Sequence, residues 1–228
     1  EPGSKSAIDA CQALGLPHLI AQSSDDGNLV GPIARDIASD LVDDVDLPAL
    51  FLHTSGTTSK PKGVPLTHAN LSISADNVVE TYHLTSDDVA LCVMPLFHVH
   101  GLVGILLSTM ASGGTMLLPP RFSAATFWED ATAHGATWYS AVPTIHQILL
   151  AKGSDVPPPK GTFRFVRSCS AALPPALLYA VEEMFGTTVV EAYGMTEAAH
   201  QMASNSLLPG ERRAGTVGEG KGVDVALL

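Results

Sequence analysis

A run of hydroxyl, lysine and glycine residues at positions 52–63 has the composition of a phosphate-binding loop. Glycines let backbone amides approach an anion, hydroxyls donate hydrogen bonds, and lysines supply charge for a polyphosphate. The run does not end in Gly-Lys-Ser/Thr, and its Gly56 to Gly63 spacing differs from the common P-loop, which disfavours a P-loop NTPase or kinase. A polar surface linker is the alternative. The candidate phosphate contacts are Thr54, Ser55, Gly56, Thr57, Thr58 and Lys62.

Two further clusters combine aromatic and polar side chains. Residues 95–101 read Pro-Leu-Phe-His-Val-His-Gly, and residues 193–197 read Tyr-Gly-Met-Thr-Glu. His98 and His100 could form half of a metal site, but no third ligand is nearby, and packing of His98 against Phe97 is a simpler interpretation. For 193–197 alone, the alternative to a functional role is a strand end with a capping threonine and a solvated glutamate.

The elements that would position these residues alternate along the chain. Apolar runs predict strands, and most segments between them have helical periodicity. The predicted strands are 49–53, 89–94, 115–118, 137–141, 163–168 and 188–192. Helices are predicted to start at Thr67, Ser123 and Pro174, with Ser123 capping the helix of Phe127 and Trp128. This alternation predicts an α/β fold of layered, mostly parallel sheets flanked by helices, with four loops after strands meeting at one crevice.

In this order, the motifs at 52–63, 95–101 and 193–197 resemble the signatures of the adenylate-forming superfamily, which includes acyl-CoA synthetases, luciferases and nonribosomal adenylation domains. Segments 141–144 and 168–173 also resemble that superfamily. Within it, the residues at 51–65, 97–100 and 167–170 are most similar to oxalate CoA ligases. The resemblance covers nearly the whole chain and is weakest near the amino terminus.

The resemblance also implies a domain organisation. Members are usually more than twice as long, so the chain is expected to be an internal part of the large N-terminal domain. An N-terminal βα piece with a mobile link is expected at 1–46, and the ATP- and acyl-binding core at 47–228. The small C-terminal domain with its catalytic lysine is expected to be absent. Because that domain is needed for catalysis, the isolated chain is expected to be inactive.

The nucleotide site implied by the resemblance centres on residues 193–197. Tyr193 would stack on adenine, Thr196 would bond the α-phosphate, and Glu197 would hold Mg²⁺ through a carboxylate oxygen. Thr196 and Glu197, with His98, are the implied catalytic residues. The remaining implied nucleotide contacts are Ala171, Ala172, Glu191 and Ala192.

An acyl pocket is implied as well, with His98 as a gate between it and the thiol channel. The implied lining positions are His98, His100, Gly104, Arg167, Ser170, Gly194, Met195 and His200. Relatives that take aromatic or fatty acids have mostly apolar or small residues at these positions. Since burying unpaired polar groups costs roughly a few kcal/mol, this lining predicts a small polar or anionic acyl group, with oxalate favoured. Arg167 pointing across the sheet edge into solvent is the alternative for that side chain.

The resemblance therefore predicts an ATP-dependent acid–thiol ligase, an AMP-forming acyl-CoA synthetase. It would activate a small carboxylate as acyl-AMP, release pyrophosphate and transfer the acyl group to CoA, using ATP, Mg²⁺ and CoA. A medium-chain or aryl acyl-CoA ligase is the alternative within the same class. A non-catalytic nucleotide-binding fragment is the alternative outside it, and a lysine-bearing C-terminal domain in the full-length protein would discriminate between them.

Composition restricts the partners and the compartment. Lys and Arg number 12 against 23 Asp and Glu, giving a net charge of −11, which repels nucleic acid and anionic lipid. The cysteines Cys11, Cys92 and Cys169 lack metal or redox spacing, so buried reduced thiols in the cytoplasm are expected, with the peroxisome as the alternative in a eukaryote. No signal peptide and no membrane span are expected, since the longest apolar stretch, 101–110, is too short to cross a bilayer.

Overall fold

The computed structural model describes residues 22–23, 29–30, 45–54, 61–153 and 159–226. The chain divides into two compact units, residues 1–44 and 45–228. In the first unit, strands β1 (Gln22–Ser23) and β2 (Leu29–Val30) pair antiparallel. Most of the expected link at 1–46 lies outside the described residues. All elements named below belong to the second unit.

A seven-stranded sheet forms the centre of this unit, in the spatial order β6-β5-β7-β8-β9-β10-β11. The strands are β5 (Val89–Cys92), β6 (Thr115–Leu117), β7 (Trp138–Ala141), β8 (Phe165–Ser168), β9 (Thr188–Met195), β10 (His200–Ser204) and β11 (Glu219–Gly220). The first five strands of this order are parallel, and β10 and β11 add antiparallel neighbours at one edge. The predicted α/β class with a mostly parallel sheet is confirmed.

Two strand predictions need correction. Strand β9 continues through Met195, so residues 193–195 are extended strand rather than a loop that follows it. The strand predicted at 49–53 exists as β3 (Pro48–Thr54), but among the described residues it pairs only with β4 (Lys62–Thr67), as an antiparallel hairpin outside the parallel sheet. The alternation of buried Val64 and Leu66 marks β4 in the sequence, but Pro65 between them obscured it, because proline argues against a strand interior.

Helices cover both faces of the sheet. They are α1 (His68–Tyr82), α2 (Val99–Gly101), α3 (Ser108–Ala111), α4 (Phe127–Ala133), α5 (Pro143–Gly153) and α6 (Pro175–Phe185). A π-helical stretch, Leu102–Leu107, joins α2 to α3. Because side chains alternate along each strand, one face of the sheet packs against α1 and the π-helical stretch, and the other against α4, α5 and α6. The first of these cores contains Val78, Tyr82, Ile105, Trp138, Phe165 and Val190.

Two of the three predicted helix starts are found in the structure. Thr67 caps α1 in a capping box, since its Oγ1 accepts from Asn70 N at 3.1 Å and Asn70 Oδ1 accepts from Thr67 N at 3.0 Å. Pro174 precedes α6 as predicted. Ser123 is not the cap of α4, because Thr126 occupies that position and Ser123 contributes only its backbone carbonyl to Phe127 N.

Two further predictions concern cysteines and membranes. Cys92 and Cys169 are buried free thiols, while Cys11 lies outside the described residues. Within the described part of the chain, no helix is both long and apolar enough to cross a bilayer.

Candidate active site

Arg167 is the centre of a buried polar cluster. Its Nε donates to the Tyr82 hydroxyl at 2.9 Å and its Nη1 to Ser140 Oγ at 3.1 Å. Its Nη2 donates to His200 Nε2 at 2.9 Å and to Gln201 Oε1 at 3.1 Å. The side chain is fully buried, so the alternative in which it reaches solvent is wrong. Among the described residues, no carboxylate contacts this guanidinium, and all its acceptors are uncharged.

Two imidazoles belong to this cluster: His200 bonds to Arg167, and His100 stacks on His200. His100 follows β5 in the first turn of the helical run, and its ring stacks on that of His200 with centroids 5.4 Å apart. His100 Nε2 lies 2.7 Å from Ser140 Oγ, and Nδ1 lies 3.0 Å from Ser170 Oγ. Burial, reinforced by the charge of Arg167, lowers the pKa of both histidines well below the ordinary value. Both rings are therefore neutral near pH 7.

The backbone around the cluster has positive φ angles, which residues other than glycine rarely adopt. Ser170 has φ 71°, Ala199 has φ 53° and His200 has φ 126°. Such residues gather at functional sites. A Cβ at Gly104 would overlap the His200 imidazole, and one at Gly194 would overlap the His200 carbonyl oxygen. Both predicted pocket glycines thus leave space that His200 occupies.

The candidates for nucleotide binding lie at the C-terminal end of β9 and in the loop after β8. Tyr193 is 47% exposed, and Met195 is also exposed at the end of the strand. Thr196 and Glu197 form the 3₁₀ turn Thr196–Ala198, with the Glu197 side chain in solvent. Ala171 and Ala172, in the loop after β8, are exposed as well. A stacking surface, a hydroxyl and a carboxylate oxygen suit a nucleotide and a hard cation.

Glu191 and Ala192 lie deeper in the same strand, and both are buried. One carboxylate oxygen of Glu191 accepts from Gly215 N at 2.8 Å, and burial raises the pKa of this group. That oxygen therefore holds the loop between β10 and β11, a contact that the sequence did not predict.

The β3–β4 hairpin brings the two ends of the proposed phosphate loop together. Thr54 and Lys62 are register partners at the last rung of the hairpin, and Lys62 is exposed. The loop candidates Ser55, Gly56, Thr57 and Thr58 lie outside the described residues.

His98 caps the N-terminus of α2, where its Nδ1 accepts from His100 N at 3.2 Å. Phe97 is 81% exposed, so packing of His98 against it does not explain this histidine. Across the described ranges, no three His, Cys, Asp or Glu side chains gather as metal ligands would.

A family model described as AMP-binding enzyme matches residues 12–228. The chain belongs to the AMP-binding enzyme family. It is 48% identical to the oxalate–CoA ligase of Arabidopsis thaliana over 99% of this chain and 46% of that protein. It is 41% identical to the sulfoacetate–CoA ligase of Cupriavidus necator over 100% of this chain and 45% of that protein.

Solved structures agree with this membership. ATP-bound MatB from Rhodopseudomonas palustris matches with a TM-score of 0.72 at 27% identity, covering 96% of this chain and 44% of that chain. The chain spans about half the length of the curated relatives it matches.

The sequence patterns did not predict three members of the polar cluster: Tyr82, Ser140 and Gln201. Ser140 stands in the mostly apolar strand Trp-Tyr-Ser-Ala, and a serine between two buried apolar neighbours in such a strand was an available signal. Tyr82 and Gln201 were not identifiable in the same way, because their contacts to Arg167 span more than 30 positions of sequence.

Proposed function

We propose that the protein is an ATP-dependent acid–thiol ligase whose acyl substrate is a small acid with a second anionic group, oxalate being favoured. It would activate one carboxylate as acyl-AMP with release of pyrophosphate, and then transfer the acyl group to CoA. The family membership supports the reaction class. The polar cluster supports the substrate class.

The observation that carries the substrate proposal is a buried positive charge with uncharged partners only. Arg167 stays protonated under all physiological conditions. A buried charge is costly unless it is paired, and none of the described carboxylates pairs with it. An anionic acyl group bound beside Ser170, the exposed member of the cluster, would bring a negative charge toward this cation. A wholly apolar acyl group would leave Arg167 without a negatively charged partner.

The names of the relatives agree with this choice. Oxalate and sulfoacetate, which appear in the names of the two relatives, each carry a second acidic group beside the carboxylate that forms the thioester. Such a substrate keeps one negative charge after activation, and a charge that leaves water needs a partner. Ser170 and His200 are the polar side chains best placed to receive it.

The proposed reaction begins when one substrate carboxylate oxygen attacks the α-phosphorus of ATP. The bond from that phosphorus to the bridging oxygen breaks, and pyrophosphate leaves with the electron pair. The CoA thiol then attacks the acyl carbon, and AMP departs. Such a first step depends on positioning and charge neutralisation more than on acid–base chemistry.

The residues of this chain divide the binding of ATP between them in the proposal. Tyr193 would stack on adenine, and Thr196 would bond the α-phosphate. Thr54 and Lys62, held together at the hairpin end, would bring the phosphate loop to the pyrophosphate. Glu197 would hold Mg²⁺, which would neutralise polyphosphate charge. His98, exposed at the start of α2, would control access between the acyl site and the CoA thiol.

The proposal is tested by the Ser170→Ala and His200→Ala variants of the full-length protein. The quantity is the ratio of kcat/KM for oxalate to kcat/KM for acetate. Losing a hydrogen bond to a charged group costs about 2 kcal/mol, so oxalate use should fall roughly thirtyfold while acetate use changes little. Ser170 is exposed, so its substitution should leave folding intact. An unchanged ratio in both variants would remove the reason for preferring a dianionic substrate.

A further inference from the structure

The hydrogen bonds around Arg167 have a fixed direction. A guanidinium has five N–H donors and no acceptor. Ser140 Oγ, 3.1 Å from Nη1, must therefore accept, and so must His200 Nε2, 2.9 Å from Nη2. In a neutral imidazole only one ring nitrogen accepts, and the other carries the proton. His200 is consequently the Nδ1–H tautomer.

The hydrogen bond between Ser140 and His100 also has a fixed direction. The Ser140 side chain is fully buried, and its only other partner among the described residues is His100 Nε2 at 2.7 Å. If His100 carried its proton on Nε2, the Ser140 hydroxyl proton would have no acceptor, at the cost of a buried unpaired donor. The Ser140 hydroxyl therefore donates to Nε2, and the His100 proton is on Nδ1.

The last link reaches the surface at Ser170. His100 Nδ1–H donates to Ser170 Oγ at 3.0 Å, so the hydroxyl proton of Ser170 is free of His100. Ser170 is exposed, and its φ of 71° holds it at this position. The series Arg167, Ser140, His100, Ser170 thus forms a directed chain, which we call the Arg167 chain.

We infer that Arg167 and Ser140 are positioning residues that make Ser170 and His200 hydrogen-bond donors toward the acyl substrate. Arg167 acts through the others, since it is fully buried and its bonds go to side chains of the protein. An acyl site lined by these two donors would select a substrate group that only accepts, such as a carboxylate or a sulfonate. This inference rests on the proposed function for its substrate, and on the hydrogen-bond geometry of two neutral rings for its tautomers.

Other groups near the rings agree with neutral histidines. The titratable and charged groups that act on His100 are Arg167, His98 and His146, and those that act on His200 are Arg167, His100 and His98. A proton on either buried ring would place a second cation beside Arg167. Each of these groups disfavours the imidazolium form, so the neutral rings keep the directions derived above.

The test is ¹⁵N NMR of the full-length protein labelled at histidine, with His100 and His200 assigned by single His→Gln variants. Two-bond ¹H–¹⁵N correlations distinguish the two neutral tautomers and the imidazolium. We expect both rings as Nδ1–H tautomers between pH 6 and 8. The Nε2–H tautomer or an imidazolium at His100 or His200 would overturn the inference, and this reading needs no variant of Ser140.

The Ser140→Ala variant adds a second reading. It should convert His100 to a mixture of tautomers or to Nε2–H, leave His200 unchanged, and lower kcat/KM for oxalate about tenfold, the effect of one misdirected hydrogen bond. Ser168→Ala is the matched control, because Ser168 Oγ on the adjacent strand is equally buried and has no partner among the described residues. It should change neither tautomer. A Ser140→Ala protein with an unaltered His100 signal would contradict the inference.

The readings separate the two proposals. If both histidines are Nδ1–H tautomers but the protein does not use oxalate, the hydrogen-bond directions are confirmed and the proposed substrate is wrong. If the protein uses oxalate but the histidines are Nε2–H tautomers, the hydrogen-bond directions are wrong and the proposed substrate stands.

Discussion

Arg167 Nη2 lies 2.9 Å from His200 Nε2, so a permanent cation donates to an imidazole that has to remain neutral. The two residues come from β8 and β10, strands separated in the sheet by β9, and their side chains meet on the face covered by α1. This contact makes His200 dependent on Arg167 for its orientation. It also makes the site sensitive to any change that displaces the imidazole.

Gly104 provides a test of that sensitivity. A Cβ at this position would overlap the His200 ring, so Gly104→Ala should displace the ring and lower kcat/KM for oxalate at least tenfold. In the His200→Ala background the imidazole is gone, and the same substitution should cost much less. The measurement is a double-mutant cycle on kcat/KM in the full-length protein. Equal costs in both backgrounds would show that Gly104 acts independently of His200.

Glu197→Gln removes a charge with little change of shape. Because Glu197 is exposed in the 3₁₀ turn after β9, the substitution should leave the unfolding temperature unchanged. As the proposed Mg²⁺ ligand, it should lower adenylation roughly a hundredfold and raise the Mg²⁺ concentration needed for half-maximal rate. The rate of carboxylate-dependent pyrophosphate release is measured against Mg²⁺ concentration. A variant with normal rate and normal metal dependence would show that Glu197 is not the ligand.

His146 gives a prediction about stability and pH. Burial lowers the pKa of His146 to about 4, and its Nδ1 lies 2.9 Å from the Tyr139 hydroxyl. The unfolded chain titrates near the ordinary value of about 6.5, so it binds more protons than the folded protein below that pH. The stability present above about pH 6.5 is therefore lost as the pH falls toward 4, by at most about 3 kcal/mol from this residue.

The check compares His146→Gln with the natural protein. Chemical unfolding followed by tryptophan fluorescence at pH 7.5 and pH 5 gives the change in unfolding free energy for each protein. The variant should lose less stability on acidification, because it lacks one of the buried groups that takes up a proton on unfolding. His83→Gln serves as control, since His83 is exposed at the end of α1. An identical pH dependence for His146→Gln and the natural protein would be contrary to this account.

The sequence predicted the alternating strands and helices because their periodicities are local. The strands at 89–94, 137–141 and 163–168 are found with shifted ends, and the cap at Thr67 is found with its full pattern. Strands β10 and β11 were missed because they are short and polar, and their pairing partners lie far along the chain. Local patterns carry no information about such pairing.

The difference between local patterns and long-range contacts also explains what was predicted of the site. His100, Ser170 and His200 were predicted through motifs, and the structure brings them together around Arg167. Arg167 was predicted to line the acyl pocket, and the structure shows it fully buried with bonds to protein side chains. The sequence alone does not show whether an arginine on a strand lines a pocket or lies beneath it. The bond of Arg167 to Ser140 depends on the register of β7 against β8, which places the two residues side by side.

The most direct measurement of the central claim is pyrophosphate release by the full-length protein with ATP, Mg²⁺ and CoA. The acids to compare are oxalate, malonate, acetate, benzoate and octanoate. The account predicts release that depends on the added acid, with kcat/KM for oxalate at least tenfold above those for acetate, benzoate and octanoate. Release that is equal with and without acid, or fastest with octanoate or benzoate, would contradict it.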